Sequence, residues 1–235
     1  MINLTSLDIT NKNLVIRVDM NVPIQNGIVT DTSRIKACIP TIKLALENNA
    51  KVLLISHLGR PEEGKFEEKF SMKPVAESLS SIINQEVGLV DRLDSEDIFK
   101  SSFNIQILEN IRFFKGEKAN DKDLGNTLAN LGDIYVFDAF GTAHREQAST
   151  HSAIEQSKIA CAGLLLEREI DFLTKALNDY QNPYVAIIGG AKVSTKLELI
   201  KYINNVADNI IVGGGIANTF ILASGLNVGK SLVEE

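Results

Sequence analysis

The sequence predicts an α/β fold: a Rossmann-like, three-layer domain built on a parallel sheet, followed by the start of a second, similar α/β domain. Two observations predict it. Short runs rich in valine and isoleucine, apolar at consecutive positions, recur along the 235 residues, and each gives way to a glycine-rich or polar cluster. Such runs read as strands buried on both faces. Between them lie stretches with apolar residues at helical spacing. Strands alternating with helices imply a parallel, helix-covered sheet.

The strand runs are Leu14 to Val18 before DMN, Val52 to Ile55 before SHLGRP, and Ile105 to Leu108 before ENIRF. Further on come Ile134 to Phe137 before DAFGTAHR, Tyr184 to Ile188 before GGAKVS, and Asn209 to Val212 before GGGIAN. Residues 34–48 place Ile35, Ile39, Ile42 and Leu46 on one helical stripe, and Pro40 is expected to kink that helix or fall near its first turn. Residues 71–83 carry a similar stripe of Val75, Leu79, Ile82 and Ile83. Helical periodicity then runs through Leu166, Ile170, Leu173 and Leu177 and ends at Asn182-Pro183. The expected organisation is a first domain over 1–165, a connecting hinge helix over 166–182, and the first part of a second domain over 183–235. That second part has room for two strand–turn–helix modules.

Composition bounds the function. With 44% hydrophobic and 23% charged residues the chain can fill a sizeable core, which excludes collagen-like and broadly disordered readings. No apolar run approaches the length of a membrane span, and the first residues lack the pattern of a secretory signal. Cys38 and Cys161 stand far apart with no CxxC and no clustered histidines, so they are expected as reduced, packed thiols in a cytoplasmic protein without a metal site. A net charge of -6 argues against a nucleic-acid or anionic-membrane binder.

Local charge says more. In a parallel sheet the functional crevice lies beyond the carboxyl ends of the strands. Arg60, Arg112 and Arg145 follow strand runs directly, and Arg34 opens the helix after the first long turn. Arg17 lies inside the first run, where a charge needs a partner, with Asp19 the nearest candidate. A solvated surface explains any one arginine; four at successive strand ends point to an anion site. Asp19 and Asn21, then His57 beside Arg60, and His144 beside Arg145 complete a polar, cation-rich set. No serine or cysteine nucleophile with an evident base accompanies it.

In the second half, Gly189-Gly190-Ala191-Lys192 and Gly213-Gly214-Gly215 each follow a strand run and are expected to open a helix. Glycine can serve only a tight turn there, or let an anion approach backbone N–H groups at a positive helix end. Lys192 and Lys196, four residues apart, would put two ammoniums on one helical face and favour nucleotide phosphate. Two familiar patterns fail. Gly225 to Ser231 has too few intervening residues for a Walker A loop, and Asn218 replaces the last glycine of a dinucleotide fingerprint, which argues against a nicotinamide enzyme. The layout is one region for a small anionic metabolite and another for nucleotide phosphates, which suits phosphoryl transfer. A noncatalytic module binding an anionic metabolite is the alternative.

RVDMN, DTSRI, SHLGRP, ENIRF, DAFGTAHR, GGAKVSTK and GGGIANTF resemble, in order and over essentially the whole chain, the signature segments of phosphoglycerate kinases. Phe137 departs from the asparagine common in that family. The resemblance implies glycolytic and gluconeogenic phosphoryl transfer between 1,3-bisphosphoglycerate and ADP, giving 3-phosphoglycerate and MgATP. It implies that Asp19, Asn21, Arg34, His57, Arg60, Arg112 and Arg145 hold the glycerate and its phosphate. By the same matching, Lys192, Lys196, Gly213, Gly214 and Gly215 face the nucleotide, and Arg34 and Lys192 stabilise the group in flight. Hinge closure would bring the two sites together. The family's second domain runs on past the equivalent of residue 235 and carries Mg-nucleotide contacts there. The resemblance therefore implies an N-terminal piece, inactive alone, whose unfinished sheet favours self-association in an otherwise monomeric family.

Overall fold

The computed structural model describes residues 1–93 and 98–234. They form two compact units, Met1–Ile170 and Asp171–Glu235.

The first unit is built on β1 (Asn13–Val18), β4 (Lys51–Ile55), β5 (Val87–Val90), β6 (Ile105–Leu108), β7 (Ile134–Asp138) and β8 (Ala160–Ala162). They make one sheet in the order β5-β6-β4-β1-β7-β8, with every pairing parallel. A small hairpin of β2 (Ile24–Gln25) and β3 (Ile28–Val29) stands apart.

Side chains alternate along β1, and the two faces feed different cores. Leu14, Ile16 and Val18 pack with Ile35, Cys38 and Ile42 of α1 (Ser33–Glu47) and Val75 and Leu79 of α2 (Lys73–Ile83). Val15 packs on the other side with Leu53, Ile55 and Tyr135, against Leu124 and Leu128 of α3 (Lys122–Ala129) and Ala153 of the short α4 (Ala153–Gln156). Helices on both faces of a parallel sheet give the three-layer architecture the sequence predicts. The consecutive apolar residues of β1 and β4 are required because neither face meets water.

Some expectations change. Pro40 lies inside α1, past its first turn, so of its two expected places the first turn is excluded. The buried face of α1 is centred on Ile35, Cys38, Thr41, Ile42 and Ala45, while Ile39 and Leu46 sit at its margins. The short strands β5 and β8 escape the sequence reading because runs of four and three residues carry little periodicity.

The topology positions the site. From β1 the chain steps to β4 on one side, and later β7 returns to pair with β1 on the other. The winding reverses at β1, so the loops after β1, β4, β6 and β7 border the crevice at the switch point.

α5 (Leu164–Asn178) leads into the second unit, which pairs β9 (Val185–Gly190) with β10 (Asn209–Gly213) in parallel. α6 (Leu197–Ile203) and α7 (Gly214–Ala223) follow the two strands. Ala186, Ile188, Ile203 and Ile216 form its small core. Here the expectation of strands buried on both faces is wrong. Val185, Ile187 and Ile211 occupy the opposite face, and Ile187 is 77% exposed. Nothing among the described residues covers that face, so β9 and β10 are apolar on both sides but buried on one.

Candidate anion site at the strand ends

Three strand-end loops are tied together by hydrogen bonds that also aim their side chains. Directly after β1, the Asp19 carboxylate pairs with the Arg34 guanidinium, and its Oδ1 accepts from the Asn21 N–H at 3.1 Å. The Asn21 Oδ1 accepts from the Gly59 N–H at 2.9 Å, and the Ser56 Oγ accepts from the Met20 N–H at 2.9 Å, joining the β1 and β4 loops. Asn110, after β6, uses both ends of its amide: Nδ2 donates to the Leu58 carbonyl at 2.7 Å and the Phe70 carbonyl at 3.0 Å, while Oδ1 accepts from the Leu58 and Arg112 N–H groups. The Arg112 guanidinium donates to the Gly59 carbonyl. Gly59 has φ +59, and a Cβ there would run into the Phe70 ring, so the turn presenting His57 and Arg60 requires glycine.

The electrostatics are those of a cation cluster lacking sufficient anions. His57 is buried, and burial together with the nearby charges of Arg17, Arg112, Arg145 and Arg34 pushes its pKa down to about 2. It is therefore neutral and serves as a hydrogen-bonding group rather than a charge. Burial and the neighbouring guanidiniums of Arg145 and Arg17 also lower the Arg112 pKa. The Arg112 Nε is buried without a hydrogen-bond partner among the described residues. A buried charged donor left unmade is costly, and an anionic oxygen is the partner it calls for. Arg34 and Arg60 are exposed and Arg145 is half-buried, so the cluster is open to a ligand. His144 is exposed, and among the described residues no hydrogen bond ties it to the cluster.

Arg17 does not pair with Asp19. Its side chain is fully buried, with Nε donating to the Ser149 Oγ at 2.8 Å, one terminal nitrogen donating to the Val18 carbonyl, and the other 3.5 Å from the His57 Nδ1. Ser149 in turn binds the buried Glu117. No motif marks Glu117 or Ser149, whereas Asn110 lies within the ENIRF segment and its place before Arg112 was a usable signal. Asp138, which opens DAFGTAHR, is structural: it accepts from the Thr41 Oγ1 at 2.6 Å and the Leu166 N–H at 2.9 Å, fixing β7 to α1 and α5. Phe137 packs with Ala139, Ala162 and Leu166.

In the second unit the glycines have a packing reason. Gly214 has φ +63, and a Cβ there would meet the Gly190 carbonyl oxygen at 3.0 Å. A Cβ at Gly215 would lie 2.5 Å from the Ala191 carbonyl oxygen. The two βα turns therefore touch backbone to backbone, while Gly189 and Gly213 face open space. The expected helical face carrying Lys192 and Lys196 does not form. Lys192 lies in irregular chain before a 3-10 turn at Ser194–Lys196, and α6 begins only at Leu197. Lys196 instead reaches back over Gly190, where a Cβ would lie 3.8 Å from its Nζ. A lysine over an open glycine turn fits phosphate oxygens. Among the described residues no group of three or more histidine, cysteine or carboxylate side chains could hold a metal.

The sequence pattern of the phosphoglycerate kinase family matches residues 4–235. A phosphoglycerate kinase of Desulfovibrio desulfuricans is 51% identical over 229 residues, covering 97% of this chain and 58% of that protein. The solved phosphoglycerate kinase of Coxiella burnetii superposes with a TM-score of 0.84 at 47% identity, over 99% of this chain and 59% of that one. The enzyme of Pyrococcus horikoshii superposes with a TM-score of 0.85 at 31% identity, over 97% of this chain and 59% of that one. The chain thus spans just under three fifths of the length of these relatives. Motif order, sheet topology, the arginine-lined strand ends and these matches agree: the chain belongs to the phosphoglycerate kinase family.

Proposed function

We propose that the first unit binds 3-phosphoglycerate and that the chain serves the reversible transfer of a phosphoryl group between 1,3-bisphosphoglycerate and ADP. The observation that carries this reading is the convergence of Arg17, Arg34, Arg112 and Arg145 around neutral His57 at the carboxyl ends of a parallel sheet. In this reading Arg60, Arg112 and Arg145 hold the phosphate, with Arg112 Nε meeting an oxygen. Asp19, Asn21 and His57 hold the glycerate hydroxyl and carboxylate. Asp19 and Arg34 form a pair that the incoming carboxylate competes for, which frees Arg34 toward the transferring group. The acceptor is a carboxylate already ionised at neutral pH, so no general base is needed.

The second unit takes MgATP or MgADP, with Lys192 and Lys196 on the phosphates and the Gly213 to Gly215 turn near the adenosine. Lys192 joins Arg34 in stabilising negative charge on the group in flight. We assign 1–165 to the glycerate domain, 166–182 to the hinge and 183–235 to the nucleotide domain, with the protein working in the cytoplasm without a nucleic-acid or membrane partner and these 235 residues self-associating through the uncovered β9–β10 face. Among the described residues, no helix is long and apolar enough to cross a membrane.

Calorimetric titration of the 235-residue chain with 3-phosphoglycerate tests the reading. One site is expected, weakened about tenfold or more in Arg60→Ala, whose exposed side chain contributes no core packing. Equal binding by the variant, or none by the parent, refutes it. A coupled assay with MgATP then decides whether turnover resides within these residues.

A further inference from the structure

Behind the arginine cluster lies a chain of buried polar groups that the reaction itself does not use. Glu117 is fully buried, and its carboxylate accepts from the Ser149 hydroxyl at 2.6 Å and the Ser149 N–H at 2.9 Å. A carboxylate can only accept, so the single Ser149 proton points at Glu117 and the Ser149 lone pairs are left facing away. Arg17 Nε–H donates into one of them at 2.8 Å. With Nε fixed and one terminal nitrogen held on the Val18 carbonyl, the planar guanidinium has one remaining direction, and its other terminal nitrogen stands 3.5 Å from the His57 Nδ1. Arginine has no acceptor, so in this contact Nδ1 accepts and the His57 proton resides on Nε2; the Asp19 Oδ1, the carboxylate oxygen facing Nδ1, stands 4.0 Å away, too far to take a proton from it in a hydrogen bond.

We infer that Glu117 and Ser149 are positioning residues for the anion site: through Arg17 they set the tautomer of His57, leaving Nε2–H as the donor offered to the ligand. This rests on the reading of the cluster as a 3-phosphoglycerate site only for the identity of that ligand; the relay itself is a property of the unliganded protein. Burial raises the Glu117 pKa, while Arg17 and the Ser149 donors act the other way. The geometry suits the ionised form, since both contacts come from donors. Tyr135 supports the same turn by donating its hydroxyl to the Ser149 carbonyl at 2.6 Å.

Ser149→Ala is the clean test, because it removes only the hydroxyl and leaves the bonds of the Ser149 backbone to Glu117 and Tyr135. In the parent chain, 15N spectra of the imidazoles, with His57 assigned by His57→Gln, are expected to show a single Nε2–H tautomer. Ser149→Ala is expected to give a mixture of tautomers and to lower affinity for 3-phosphoglycerate about tenfold. In an Arg17→Lys background, which lacks the fork that carries the relay, the same substitution should change neither readout. Glu117→Gln, which keeps the shape but presents a donor to Ser149, should also mix the tautomers, and it decides the matter should Ser149→Ala not fold. A parent-like tautomer in these variants, or an Nδ1–H tautomer in the parent, overturns the inference. Failure of the parent to bind 3-phosphoglycerate would overturn the ligand assignment alone, since the spectra are recorded without ligand.

Discussion

His57 makes the first unit sensitive to acid by an amount the structure allows to be worked out. Its pKa falls from an ordinary 6.5 to about 2, because it is buried among guanidinium groups. The unfolded chain takes up a proton near pH 6.5 and the folded chain does not, so the unfolded state binds more protons at every pH between those values. Stability is therefore fully present above 6.5 and is lost as pH falls through the window. From pH 6.5 to 5 the loss accumulates at about 1.4 kcal/mol per pH unit, or about 2 kcal/mol. That is a large fraction of the stability of a typical domain. His57→Gln keeps a hydrogen-bonding side chain but cannot titrate. Hydrogen exchange in peptides from β1 and β7, corrected for intrinsic rates and measured in phosphate-free buffer, reads the stability of this unit at each pH. The parent should lose about 2 kcal/mol more than the variant between pH 7 and 5, the contributions of other groups cancelling in the difference. Parallel curves for the two proteins would refute the reasoning. Added inorganic phosphate should shrink the loss, because an anion in the cluster favours the imidazolium.

Three further outcomes are expected. Thr41→Val removes the hydroxyl that donates to Asp138 and accepts from the Leu164 N–H, leaving a buried carboxylate short of a partner; the first unit should lose about 1–3 kcal/mol, seen by the same exchange measurement. Gly215→Ala places a methyl 2.5 Å from the Ala191 carbonyl oxygen and should destabilise the second unit by about 1–3 kcal/mol, with faster exchange in 185–223 and none of the change in β1. Ile187→Lys puts a charge on the uncovered face of the β9–β10 pair and should reduce self-association in light scattering, while leaving the first unit unchanged.

Much of the site was legible because strand-end positions carry their own signal. Asn21, His57, Arg60 and Arg112 come after apolar runs that form buried strands here, and parallel topology gathers the residues after such runs at one end of the sheet. Arg17 shows the limit. The sequence places it inside a strand beside Asp19 and suggests that pair. In the structure, alternation along β1 turns it toward Ser149 and Glu117, which are 132 and 100 residues away in the chain. The glycine turns of the second unit show another limit, since their spacing is as consistent with phosphate binding as with the backbone contact that Gly214 and Gly215 make.

By itself, then, the sequence determined the α/β class, the parallel order of strand and helix, and most of the cationic and polar side chains gathered at the strand ends, because these depend on local periodicity and on the few residues just past each strand. The tertiary structure alone decided the partner of Arg17, the neutral state of His57, the exposed face of β9 and β10, and the break between Lys192 and α6. Each of these depends on which distant groups share a buried space, and neither burial nor a charge's surroundings is a property of a residue's neighbours along the chain.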